Sequence, residues 1–129
     1  MNSVFKVSFA ALAVAMGTMA VQPALAHHSS AGFSEDSRVV SGTVKEFQFR
    51  NPHSWIQVNV TDASGKVTEW SVEWGSPNQL GREGIRPSTF PTGAQVKIRL
   101  RPELTGAPIG IFVGAKMSDG KTVGKWSEE

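Results

Sequence analysis

The fold is decided by residues 54–74, which have the sequence SWIQVNVTDASGKVTEWSVEW. Apolar side chains recur at every second position on both sides of a polar centre: Ile56, Val58 and Val60, then Trp70, Val72 and Trp74. A period of two indicates strands with one buried and one exposed face. The central Asp62-Ala63-Ser64-Gly65 favours a hairpin turn. We therefore predict two antiparallel strands, over residues 54–61 and 66–74.

The segment before this hairpin predicts a long first strand over residues 39–49. Its apolar residues change parity part-way along: Val40 and Val44 are followed by Phe47 and Phe49. A strand cannot keep both pairs on one face without an inserted residue. A β-bulge near Lys45-Glu46, or a strong bend at Gly42, resolves the conflict. Long, curled first strands are typical of small closed barrels.

The second half of the chain predicts one short helix and further strands. Ser76-Pro77 starts the helix, because Ser caps helices and Pro fits their first position. The helix is expected to end near Gly81 or Gly84, ahead of a loop over residues 85–93. Alternation predicts the remaining strands, at residues 94–101, 109–117 and 122–126.

This order of elements indicates a mainly β fold. Three strands, a short helix and two or three more strands match a small five- to six-stranded Greek-key barrel of the oligomer-binding (OB) type. A two-sheet sandwich is the competing architecture. The helix between the third and fourth strands favours the barrel.

The N-terminus has the pattern of a secretory signal peptide over residues 1–26. A positive residue, Lys6, precedes an apolar run that ends in Ala24-Leu25-Ala26. Signal peptidase accepts small residues in an Ala-x-Ala arrangement. Cleavage after Ala20 is a second option, and Pro23 favours the later site because it helps to end the apolar run. We therefore expect an exported chain, either periplasmic or secreted.

Cleavage after Ala26 would leave a flexible segment at residues 27–38 and a single β-barrel domain at residues 39–129. The apolar run of the signal is too short and interrupted for a membrane span, so none is expected after cleavage. We expect a monomer. The chain has no cysteine, which excludes disulfides, thiolate metal sites and a cysteine nucleophile.

The charge balance argues against a polyanionic partner. Lys and Arg number 13 and Asp and Glu number 11, for a formal net charge of +2. One predicted strand carries a basic stripe of Lys97, Arg99 and Arg101. Nucleic-acid binding needs stacking aromatic side chains beside such a stripe, and none interleaves here. The stripe is instead expected to be a solvated strand face that guards against edge pairing, and no nucleic-acid partner is predicted.

Histidine positions point to a transition metal. The chain has three histidines, and His27 would become the first residue after cleavage. Its free amine and imidazole would then form a chelate, and His53 would add a second imidazole. Three nitrogens in a T-shape are a histidine brace, and nitrogen donors bind Cu(II) most tightly among the common divalent metals. We predict a copper site at His27 and His53, with His28 nearby and Glu73 as an outer ligand or orienting group.

The alternative for these residues is structural. His27 and His28 would be polar residues of a mobile chain end, and His53 would cap a strand or bind a backbone carbonyl. A His-His terminus binds metal weakly in any protein, so weak binding alone distinguishes nothing.

A second candidate site is the outer face of the hairpin, opposite the apolar triplets. We call it the Trp55 face, and its residues are Trp55, Gln57, Asn59, Glu69, Ser71 and Glu73. In OB-type barrels this region is the usual binding surface. A Trp among amides and carboxylates can stack on a peptide, a glycan or an envelope protein without any metal. The alternative is that Trp55 packs under the N-terminal segment or the last strand.

Catalytic motifs are missing, so we predict a binding module and no catalytic residue. The sequence has no Gly-x-Ser-x-Gly elbow, no phosphate loop and no His-Glu-x-x-His helix. An accessory subunit of an envelope complex is a third option.

The chain also resembles a family of exported bacterial domains of unknown function. The matching residues are His27-His28-Ser29, Phe33, Gly42-Thr43-Val44, Asn51-Pro52-His53, Trp70-Ser71-Val72-Glu73, Pro77, Leu80, Arg82, Gly84, Gly106 and Gly110. Two positions depart from the family pattern: Ser34 stands where Asp is expected, and Thr92-Gly93-Ala94 stands where Pro-Gly-Asp is usual. The resemblance implies a secreted β-barrel and no particular activity. It places His27, His28, His53 and Glu73 at positions that match family motifs.

Overall fold

Six strands and one short helix form within residues 30–128, the part of the chain that the computed structural model describes. The strands are β1 (Arg38–Gln48), β2 (Trp55–Thr61), β3 (Val67–Glu73), β4 (Gln95–Pro102), β5 (Ile109–Met117) and β6 (Thr122–Gly124). The helix, α1, spans Pro77–Arg82 between β3 and β4. Single 3-10 turns lie at Ser30–Gly32 and Pro87–Thr89, the second within the segment predicted as a loop.

Strand pairing closes the first five strands into a barrel. β1 pairs antiparallel with β2 and β4, β2 with β3, and β4 with β5. β3 and β5 pair in parallel and complete the circle, while β6 adds to β5 outside it. The predicted OB-like barrel with its helix between the third and fourth strands is confirmed, and the competing sandwich is wrong.

The first strand contains the β-bulge, one of the two alternatives that its sequence predicted. The register of β1 against β2 shifts between Val44 and Glu46, which is a β-bulge. It moves the buried positions from the even to the odd residues, so that Val44 and Phe47 both pack on the core. Gly42 lies so close to β2 that a Cβ atom there would sit 2.3 Å from the backbone oxygen of Asn59. Bulge and glycine together let one strand curl around the barrel.

Helix α1 has a capped first turn, and an aromatic cluster packs on the barrel core. Ser76 caps the helix by accepting a hydrogen bond from the backbone of Gln79, and Leu80 is fully buried beneath it. The cluster consists of Phe47, Trp74, Phe90 and Phe112, with ring centroids 4.1 to 6.5 Å apart. Full burial of a large apolar side chain contributes about 1.5–3 kcal/mol, so Phe90 and Phe112, the two buried members, add substantially to the core's stabilisation.

Further contacts lie at the start of β1 and beside the end of β4. The guanidinium of Arg38 lies 5.1 Å from the ring centroid of Trp70. Phe33 forms an isolated bridge with Glu103, and the backbone N–H of Ser34 donates to Pro102 at 2.8 Å. Residues 33–34 are therefore attached beside the end of β4.

Element boundaries match the predicted ranges to within one residue, except at the last strand. β6 ends at Gly124, two residues short of the predicted Trp126. Gly124 has a positive φ of 68°, which turns the chain out of the sheet. Within residues 30–128, no helix has the length and apolar character that a membrane span requires.

Candidate functional site

His53 and Glu73 meet at the open end of the β2–β3 hairpin, where β2 begins and β3 ends. Trp55 lies directly opposite Glu73 in the register. The ladder continues beyond the strands, because the backbone N–H of Trp74 donates to Ser54 at 2.8 Å. His53 is thus the diagonal neighbour of Glu73 on the outer face, a position from which long side chains reach each other.

The pair forms a close hydrogen bond. Nδ1 of His53 lies 2.5 Å from Oε1 of Glu73, and each side chain is 26% exposed. A carboxylate only accepts hydrogen bonds, so the ring proton in this contact is on Nδ1. In the neutral ring the lone pair is then on Nε2, and the carboxylate fixes the plane of the imidazole. This is the arrangement that commonly stands behind a metal-ligating histidine.

The other predicted metal ligands, His27 and His28, lie outside the described residues, so their place relative to His53 stays a prediction. Within residues 30–128, no group of three His, Cys, Asp or Glu side chains is arranged to hold a metal ion. The described part of the chain therefore supplies one imidazole and one carboxylate. A complete metal site would require donors from elsewhere.

Ser54, beside His53, was not predicted as a site residue. Its side chain is fully buried, and its Oγ atom has no hydrogen-bond partner among residues 30–128. A buried hydroxyl without a partner costs about 1–3 kcal/mol. The signal was present in the sequence, because Ser54 shares its parity with the inward-facing Ile56.

The Trp55 face is continuous in the structure. Its residues are directly opposed in three pairs: Trp55 with Glu73, Gln57 with Ser71, and Asn59 with Glu69. The hydroxyl of Ser71 donates to Gln57 at 2.6 Å. The Trp55 ring is half-buried.

Lys45, at the β1 bulge, was also missed by the sequence analysis. Its Nζ donates to Glu69 at 2.6 Å, and this hydrogen bond raises the pKa of Lys45 above its usual range. The Lys45–Glu69, Ser71–Gln57 and His53–Glu73 hydrogen bonds lie on the same side of the barrel. Most polar groups of the Trp55 face therefore bond to neighbours on that side.

The basic stripe of β4 differs from its predicted role. β4 pairs with β1 on one side and β5 on the other, so it is not an edge, and the expected guard against edge pairing is wrong. Nε of Arg101 donates to the backbone oxygen of Ser34 at 2.6 Å. Arg99 donates to the backbone oxygen of Ser127 at 3.1 Å and lies 5.6 Å from the ring centroid of Trp126. The arginines of the stripe therefore hold segments that flank the barrel.

The comparisons with known proteins give a family and no activity. No curated protein and no solved structure matches the chain significantly. One family model matches residues 14–112, which is more than half of the sequence. That range includes the barrel from β1 into β5, with both members of the His53–Glu73 pair. The chain belongs to a family of unknown function, DUF6152.

Proposed function

We propose that this protein is an exported, periplasmic binding module for a transition metal, with copper as the metal and His53 as the ligand on the barrel rim. The observation that carries the proposal is the 2.5 Å hydrogen bond between His53 and Glu73. It holds the imidazole in a fixed plane with Nε2 as the basic nitrogen. A carboxylate partner of this kind fixes the ring orientation of a metal-ligating histidine and raises its basicity.

The remaining donors would come from the processed N-terminus. Cleavage after Ala26 supplies an amine and an imidazole on His27, and His28 follows it. Amine plus two imidazoles suit Cu(II), which such nitrogen sites bind more tightly than Zn(II) or Ni(II). Glu73 would remain an orienting group, since its Oε1 atom is engaged by the ring of His53.

The metal-free alternative, a ligand on the Trp55 face, has weaker support. Gln57, Ser71 and Glu69 already bond to each other or to Lys45. A ligand would have to replace those contacts. Loss of a partner interaction in Trp55→Ala, with metal removal having no effect, would favour this alternative.

Copper titration of the chain that begins at His27 tests the proposal. We expect one Cu(II) to bind tightly, and His53→Ala to weaken binding more than about 100-fold, because it removes a ligand. Glu73→Gln should weaken binding about 10–100-fold, the usual effect of removing a group that orients a ligand. Glu69→Gln is the matched control on the same strand, and its affinity should be unchanged.

The opposite pattern would contradict the proposal. If His53→Ala binds copper like the wild type, while one extra residue before His27 abolishes binding, the metal is held by the terminal chelate alone. The mass of the exported protein checks the premise, because cleavage after Ala20 would place six residues ahead of His27.

A further inference from the structure

Residues 126–128 lie against the outer face of β4 and β5, and we call them the 126–128 segment. Trp126 packs on the guanidinium of Arg99, which also donates a hydrogen bond to the backbone oxygen of Ser127 at 3.1 Å. The carboxylate of Glu128 accepts hydrogen bonds from Lys116 and from the indole N–H of Trp126. Ring, backbone and carboxylate of the segment each have a defined contact.

A glycine gives the chain room to cross β5. Gly114 is the partner of Arg99 in the β4–β5 register and of Gly124 in β6. A Cβ atom at Gly114 would lie 2.1 Å from the backbone oxygen of Lys125. Any other residue at this position would therefore displace the segment from the face.

The face carries more positive charge than the segment neutralises. Lys97 and Lys116 are directly opposed in the β4–β5 register. Such like-charged pairs are destabilising unless an anion lies between them. Glu128 interacts with both lysines. The hydrogen bond from Lys116 is the main cause that lowers the pKa of Glu128, and the charge of Lys97 is a smaller one. Within residues 30–128, Lys97 itself makes no salt bridge.

A cavity adjoins the two lysines that interact with the 126–128 segment. This cavity of about 320 Å³ lies beside Lys97 and Lys116 and is lined by residues of β1, β4 and β5 together with Ser118. Its walls include the apolar Val96 and Met117. A ligand longer than the segment could extend its apolar groups into this cavity while its carboxylate bonds the two lysines.

We propose that this β4–β5 face is a docking site for a peptide of another protein that carries an aromatic residue two positions before a carboxylate. The 126–128 segment is the occupant in cis and blocks the site until a partner peptide displaces it. Charge complementarity supports this occupant, because among the described residues two ammonium groups face one carboxylate. The proposal is independent of the metal site, which lies on β2 and β3.

A peptide with the sequence of residues 124–128, GKWSE, labelled with fluorescein, serves as the probe. A segment attached in cis competes at an effective concentration in the millimolar range. The variant Trp126→Ala/Glu128→Gln, which empties the face, should therefore bind the probe at least about tenfold more tightly than the wild type. Adding Lys116→Gln should abolish that gain. Lys121→Gln is the matched control, because Lys121 is 82% exposed and pairs with Asp119.

Several outcomes would overturn the proposal. Equal affinity of the emptied variant and the wild type would show that the segment does not block the site. Binding that survives Lys116→Gln would place the probe elsewhere. A wild-type dimer in sedimentation that is lost in the emptied variant would make the occupant a second copy of this chain. Should the double variant unfold, Glu128→Gln alone gives the same comparison, since Glu128 is exposed.

Discussion

The outer faces of β2–β3 and β4–β5 are built from the same alternating pattern, yet their polar groups are neutralised in different ways. On the Trp55 face, partners come from the same sheet: Glu73 with His53, and Glu69 with Lys45. On the β4–β5 face, partners come from segments outside the barrel. Arg101 holds Ser34, and Lys116 holds Glu128.

Because of this difference, the two faces would respond to a ligand in different ways. The His53–Glu73 pair is fixed by the hairpin itself, so a group bound there would meet a preorganised imidazole. The 126–128 segment is held by exposed charges, which contribute little and are screened by salt. The two proposals follow this difference: an ion at the His53–Glu73 pair, and exchange of one peptide for another on the β4–β5 face.

Gly42→Ala should cause the largest loss of stability among the tests of this comparison, about 3 kcal/mol. The new Cβ would lie 2.3 Å from the backbone oxygen of Asn59, so β1 and β2 must separate within the barrel. Urea unfolding measures the change. Gly32→Ala is the control, because no atom lies within 4 Å of its added Cβ, and its stability should be unchanged. Equal stability of the two variants would refute the close approach of β1 to β2.

Gly114→Ala should cost less, about 1 kcal/mol. The displaced neighbour is the backbone at Lys125, which lies outside the closed barrel and can move away. Emission of Trp126 should shift to the red as its ring leaves Arg99, and far-ultraviolet circular dichroism should be preserved. A loss as large as that of Gly42→Ala would mean that the segment is an integral part of the barrel.

Replacing Ser71 by Ala should destabilise the Trp55 face by about 0.5–1.5 kcal/mol, the usual net contribution of one hydrogen bond. The variant removes the donor to Gln57, which is half-buried. Thermal unfolding measures this change, and the docking of the GKWSE probe should be unaffected. A changed probe affinity would show that the two faces are coupled.

Acid should release the 126–128 segment, with an effect on Trp126 emission and little on global stability. The hydrogen bond from Lys116 lowers the pKa of Glu128 below its ordinary value of 4.5. A lowered pKa in the folded state means that the contact is complete above the ordinary value and is lost as pH falls through the lowered one. Trp126 fluorescence followed from pH 6 downward should report this transition.

The control for the acid transition is Glu128→Gln, in which the Trp126 signal should stay flat with pH. The pKa of Asp62 is also lowered, mainly because the Ser64 hydroxyl donates to its carboxylate. That titration lies at the β2–β3 turn and should leave Trp126 emission unchanged. A transition that persists in Glu128→Gln would assign the signal to another group.

The barrel was predictable because alternation and turn chemistry are local. The parity change in β1 predicted a bulge or a bend, and the bulge lies where Val44 and Glu46 change register. The start of α1 followed from Ser76-Pro77 alone, and the cap is present. From the sequence, His53 and Glu73 could be predicted to share a site but not to form a hydrogen bond. Their diagonal relation depends on the β2–β3 register.

The role of the β4 stripe could not be predicted from the sequence. Lys97, Arg99 and Arg101 alternate as an exposed strand does. Their partners, Ser34 and Glu128, are distant in sequence and become neighbours only when the barrel closes. The exit of the chain across Gly114 likewise depends on tertiary packing. Such contacts carry no periodic signal.

Electron paramagnetic resonance of the Cu(II)-loaded chain that begins at His27 tests whether His53 is a copper ligand. We predict nitrogen hyperfine structure from the amine and two imidazoles, and loss of one nitrogen coupling in His53→Ala. Glu73→Gln should keep that nitrogen but broaden its coupling, because the ring is no longer held in one plane. Identical spectra for the wild type and His53→Ala would show that the barrel rim contributes no ligand, and would contradict the proposed copper site at His53.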